Sequence, residues 1–166
     1  TLNSTAAASN GANVWIDDPT STVFTISGSY PEVNGSANTY VAYCFAEKQG
    51  YSKFGSYIGN GSTDGPFVYT GFKPAFLMMK ESSSAGGNWV IFDNKRDTFN
   101  LVDDALTANT SNTEISNWGV GFDFLSNGFK ARATDASINS SGGSYIYMAF
   151  AEAPLVGSNN VPATAR

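Results

Sequence analysis

Thr39-Tyr-Val-Ala-Tyr-Cys-Phe-Ala-Glu47 and Ser144-Tyr-Ile-Tyr-Met-Ala-Phe-Ala-Glu152 align without a gap at an offset of 105 residues. In an extended chain successive side chains point to opposite faces. That puts Ala42, Cys44 and Ala46 on one face and Val41, Tyr43 and Phe45 on the other, and both faces are apolar. A strand apolar on both faces belongs at the centre of a covered sheet. The pair therefore predicts two related central strands, neighbours in one sheet, with Cys44 a small buried core residue.

The same offset pairs Phe24 with Phe129, Val33 with Ile138, Asn34 with Asn139 and Ser36 with Ser141. Residues 23–47 and 128–152 thus read as an internal repeat: a strand, a loop containing Val/Ile-Asn, then a long strand ending Phe-Ala-Glu. On this reading the chain opens inside the first copy. Strands corresponding to Pro74 through Trp89 would then precede Leu2.

Between these anchors, β-branched and aromatic runs alternate with Gly, Asn, Ser and Asp clusters. They predict strands at Thr22 to Ile26, Thr39 to Glu47, Ser52 to Ile58, Phe67 to Thr70, Ala75 to Lys80, Trp89 to Phe92, Gly119 to Leu125, Gly128 to Ala133 and Ser144 to Glu152. Asn127-Gly128 is the sharpest hairpin signal, because both residue types tolerate positive φ. Leu101 to Ala108 is the one place for a helical turn. Many short strands spaced by turns predict an all-β, antiparallel β-sandwich of jelly-roll, lectin-like type. One domain would span residues 1–152, with residues 153–166 as an extended tail in which Leu155, Val156 and Val161 could anchor a neighbouring subunit.

Composition narrows the chemistry. The net charge is −5 with only nine Lys and Arg, and residues 1 to 47 contain neither. A phosphate backbone needs clustered cations, so nucleic acid is excluded as a partner, and an anionic membrane surface is equally unattractive. No apolar run approaches the roughly 20 residues that span a bilayer. With no histidine and one cysteine, serine triads and Cys/His zinc sites cannot be built. Glycoside hydrolysis needs only two carboxyl groups, but no Glu-x-Glu or Glu-x-Asp pair sets two on one strand face. Glu47 and Glu152 end the repeated strands and could approach each other, although solvation at a strand end explains them as well. The expectation is a protein that is not an enzyme and holds no cofactor.

Two groups remain as candidate sites. Tyr51, Lys53 and Tyr57 share one face of a strand and would form a sugar platform, since an aromatic ring offers an apolar body and a polar tip. Asp93, Arg96, Asp97, Asp103 and Asp104 form the densest charged stretch. It reads as an ion pair of Arg96 pinning the loop, or as oxygen ligands for Ca²⁺ that Lys95 and Arg96 would oppose.

Three runs carry a family resemblance: Tyr40 to Glu47, Gly50 to Phe76 (Gly-Tyr-Ser-Lys-Phe-Gly-Ser-Tyr-Ile-Gly-Asn-Gly at its start) and Ser144 to Pro154. Together they resemble an uncharacterised domain of tailed bacteriophages, similar to tail-fibre and concanavalin-A-like lectin/glucanase domains. The resemblance implies a virion-surface, extracellular location. It implies either a tail-fibre domain for attachment to host-surface glycans or a structural head-decoration or fibre-shaft module, with a glycan hydrolase as a distant third. The implied partners are other virion proteins, copies of the chain itself and host glycans. The resemblance supplies no catalytic residues.

Overall fold

The computed structural model describes residues 5–7, 14, 17–28, 30–153, 155–156 and 162–163. The chain divides into two compact units. One is Thr1–Ala8 with Ala46–Arg166, the other Ser9–Phe45.

The larger unit contains strands β1 (Ser52–Ile58), β2 (Phe67–Tyr69), β3 (Phe76–Glu81), β4 (Val90–Asp93), β5 (Leu106–Thr107), β6 (Phe122–Leu125), β7 (Gly128–Ala131), β8 (Ser144–Phe150), β9 (Leu155–Val156) and β10 (Pro162–Ala163). The smaller unit contains the four-residue helix α1 (Pro31–Asn34), and α2 (Ala136–Asn139) precedes β8. Two antiparallel sheets build the body of the larger unit, a five-stranded one in the order β1-β8-β3-β4-β5 and a three-stranded one in the order β2-β7-β6.

Alternation decides what each sheet buries. Tyr57 from β1, Tyr145, Tyr147 and Ala149 from β8, and Leu77 and Met79 from β3 are buried, as are Phe122 and Phe124 from β6 and Phe129 from β7. The two sheets meet through edge-to-face ring pairs: Tyr57–Phe129 at 6.0 Å, Phe129–Tyr147 at 5.1 Å and Phe92–Phe122 at 5.3 Å between centroids. This is sandwich packing, with each fully buried large side chain contributing about 1.5–3 kcal/mol. Gly55 lies opposite Tyr147 in the β1–β8 register, and a Cβ there would meet the Tyr147 hydroxyl at 3.0 Å.

β8 is central, flanked by β1 and β3. Its counterpart is not: residues 39–47 belong to no strand, and Val41 and Tyr43 are 76% and 82% exposed. Cys44 is exposed rather than buried. The two sequence copies are therefore not sheet neighbours. β1 and β3 already supply the backbone partners on both sides of β8, so its flanks are full. Of Thr22 to Ile26 only Ile26 forms an isolated bridge.

The predicted turn over Leu101 to Ala108 is extended instead. Val102 bridges Phe122, Ala105 bridges Ile115, and β5 pairs with β4. The β6–β7 hairpin turns at Ser126-Asn127, and neither Asn127 nor Gly128 takes a positive φ. Gly128 is needed for another reason: a Cβ there would lie 2.1 Å from the Val68 carbonyl oxygen. The tail is not simply extended, because β9 pairs antiparallel with β10, Val156 opposite Pro162. Leu155 and Val156 thus lie in a strand of the chain's own hairpin. Val161 lies outside the described residues.

Both short helices carry the same tyrosine clamp. The Tyr145 hydroxyl donates to the Ala136 carbonyl at 2.6 Å and accepts from Ser140 N at 2.7 Å. The Tyr40 hydroxyl donates to the Pro31 carbonyl at 2.6 Å and accepts from Gly35 N at 2.7 Å. Four-residue helices leave most end groups without helical partners, and the phenol satisfies one of each kind.

Candidate functional site

The platform expected on β1 does not form. Tyr57 is 8% exposed, its hydroxyl donates to the Ile138 carbonyl at 2.6 Å, and its ring stacks on Tyr145 at 5.0 Å. Burial, then the proximity of Tyr145, holds its pKa well above the usual phenol range. Lys53 pairs with Glu47 at 2.8 Å. Tyr51 is 38% exposed and packs edge-on to Phe150. Alternation groups the three side chains but does not say which of them the core takes, and it takes Tyr57 alone.

The charged stretch after β4 builds a different site. Asp93 Oδ1 accepts from the backbone N of Lys95 at 2.9 Å and of Arg96 at 3.0 Å, which turns the chain sharply. Asp93 Oδ2 pairs with Arg96 at 2.5 Å, and Arg96 reaches Glu114 at 3.6 Å. Arg96 is therefore engaged by Asp93 and Glu114, and its Nε is buried with no hydrogen-bond partner among the described residues.

Asp97, Asp103 and Asp104 bring carboxylate oxygens within 4.8 Å of one another. Asp97 Oδ2 accepts from Asp103 N at 2.8 Å and Asp104 N at 2.6 Å, Asp103 accepts from Gly119 N, and Asp104 accepts from Asn117 N. The three acids clamp loops by their backbone, as carboxylates do at charge-assisted bonds. They are also the described residues whose chemistry would suit a hard cation.

Beside this clamp lies a cleft of about 210 Å³ lined by Lys73, Asn94, Asp97, Thr98, Phe99, Asn100, Val102 and Phe124. Phe124 and Val102 form its apolar floor, both buried. Asn100 is fixed by both ends of its amide, accepting from Phe124 N at 2.9 Å and donating to Phe124 O at 3.3 Å. Its neighbour Phe99 is 84% exposed. Asn94 donates to Glu152 at 3.2 Å, and Glu152 also pairs with Lys95. Those two contacts, Lys95 first, hold the Glu152 carboxyl below its usual range. Glu47 is lowered likewise, first by Lys53 and then by Phe54 N. Each of these two acids is engaged by its own lysine rather than by the other.

Sequence reading missed Phe99 and Asn100 because neither belongs to a periodic run; bends bring them to Phe124. A large apolar residue flanked by Thr98 and Asn100 was the only signal. No helix among the described residues is long and apolar enough to cross a membrane. Neither a curated protein nor a solved structure matches the chain. A family model does, over residues 1–154, described as a domain of unknown function, DUF7483. The chain belongs to that family.

Proposed function

We propose that the chain is a non-enzymatic, lectin-like jelly-roll module of a bacteriophage surface, and that it attaches to glycans through the cleft beside Phe99. The observation that carries this reading is the exposed Phe99 ring at the rim of a cleft whose walls are amide, hydroxyl, carboxylate and ammonium groups. A pyranose offers an apolar face to a ring and a rim of hydroxyls to such groups. The virion location is supported by the resemblance of the Tyr40 to Glu47, Gly50 to Phe76 and Ser144 to Pro154 runs to tailed-phage domains.

The test is a glycan array followed by titration of any hit by calorimetry. Phe99→Ala is expected to weaken binding by about two- to tenfold, the share of one stacking ring. Wild-type protein binding no glycan at millimolar concentration would sink the adhesin reading. Release of reducing ends from a bound polysaccharide would overturn the non-enzymatic one. A purely structural virion role is the second reading, favoured by the exposure of Val41 and Tyr43.

A further inference from the structure

The two tyrosine clamps agree at an offset of 105, bond for bond. Tyr40, Pro31 and Gly35 correspond to Tyr145, Ala136 and Ser140, with matching hydrogen-bond lengths. Asn34 N donates to Tyr30 O at 2.9 Å, and Asn139 N donates to Asp135 O at 2.8 Å. Asn38 N donates to Gly35 O, and Gly143 N to Ser140 O. Ala37 takes φ +63 where Gly142 takes +76. An L residue pays to adopt that conformation, so its recurrence at the matching position is a specified feature.

The two copies differ in what surrounds them. Asn139 is fully buried and holds the 59–62 loop: it accepts from Asn60 N at 2.8 Å and donates toward Asn60 Oδ1 and Ser62 O. Gly59 and Gly61 bond to Gly143 and Asn139 backbone in the same interface. Asn34 is exposed. Tyr145 is fully buried and Tyr40 is 44% exposed; Ile138 is buried and Val33 half-buried. Cys44 is exposed where its counterpart Ala149 is fully buried.

We propose that residues 30–46 are the closing helix and central strand of a second sandwich of this family. They dock into a partner that carries counterparts of β1, β3 and the Gly59-Asn60-Gly61-Ser62 loop. The established packing of α2 and β8 defines that partner's chemistry. It must offer two strand edges that flank the 40–46 segment, and a loop that meets the Asn34 amide with a backbone N–H and carbonyls. Strand addition of this type takes its affinity from main-chain bonds and its specificity from alternate side chains.

The test extends the intact chain. Residues 46–105 are duplicated ahead of Thr1, which the offset joins in register, and Cys44 is reacted with a thiol reagent under native conditions. In the parent chain Cys44, being exposed, is expected to react at about the rate of an unprotected thiol. In the extended chain the reaction is expected to slow at least about a hundredfold, as for a group in a closed sheet. Asn34→Ala and Tyr40→Ala are expected to restore fast reaction in the extended chain and to change nothing in the parent. Equal Cys44 rates in parent and extended chains would overturn the proposal. So would protection that rises with protein concentration, which would assign the cover to a second copy instead.

Discussion

Replacing Asn139 by alanine removes the polar keystone between α2, the 59–62 loop and the segment ending at Ala133. The side-chain amide donates within 3.1 Å of Asn60 Oδ1, 2.7 Å of Ser62 O and 2.9 Å of Ala133 O, and accepts from Asn60 N at 2.8 Å. An amide makes about three such bonds at once. Each contributes about 1 kcal/mol net, and a buried partner left stranded costs about 1–3 kcal/mol. The expected loss is about 3–5 kcal/mol, a large part of the 5–15 kcal/mol that holds a domain of this kind together. At about 2–4 °C per kcal/mol, Tm should fall by roughly 6 to 20 °C. Urea and thermal unfolding followed by near-ultraviolet circular dichroism measure it. Asn34→Ala, at the matching exposed position, is expected to change stability by less than about 0.5 kcal/mol. A loss under about 1 kcal/mol for Asn139→Ala, or equal losses for the two variants, would refute the reasoning.

Gly128→Ala should destabilise by about 2 kcal/mol or more, because the β2–β7 pairing must shift to clear the Val68 oxygen; unchanged denaturant midpoint would contradict this. Stability should fall in alkali. Burial raises the phenols of Tyr57, Tyr145 and Tyr147 in the folded state, so above pH ~10 the unfolded chain has lost protons that the fold retains. Absorbance of tyrosinate should therefore show these three ionising only as the sandwich opens. A smooth titration of all eight tyrosines near pH 10, with the near-ultraviolet spectrum intact, would refute it. In acid the sign reverses: Glu47, Asp64 and Glu152 are lowered by their lysine partners. Their small contribution should be present above pH ~4.5 and fade as pH falls through the depressed values, an effect that salt should screen.

β1 to β4 and β6 to β8 were legible because they sit in short apolar or alternating runs, which is local information, whereas the two-residue β5, β9 and β10 are too short to show a period. Tyr51, Lys53 and Tyr57 show the limit of that information. Period two says which side chains share a face, and only the second sheet, through Phe129, decides that Tyr57 points inward. The 39–47 run failed for a related reason. Its apolar residues specify a strand, but a strand exists only where neighbouring backbone pairs with it. The four-residue helices are too short for any period, and Phe99 and Asn100 reach Phe124 through bends. The offset of 105, by contrast, pointed to Asn139 and Tyr145 before either could be seen in the packing.

The order of the five-stranded sheet sets a timetable for folding. β1 and β3 are not bonded to each other; β8 lies between them, with Ser52 opposite Phe150 and Phe76 opposite the same residue. The wedge that completes the sheet is the last of its five strands to be synthesised. Until it arrives, a growing chain holds two strands with open edges and half-formed hydrophobic faces, dependent on contacts distant in sequence. Such topologies fold in milliseconds to seconds and are exposed to aggregation meanwhile. A ribosome stalled before Ser144 would therefore display a protease-sensitive precursor, and release of the final strand would convert it to the resistant form in one cooperative step.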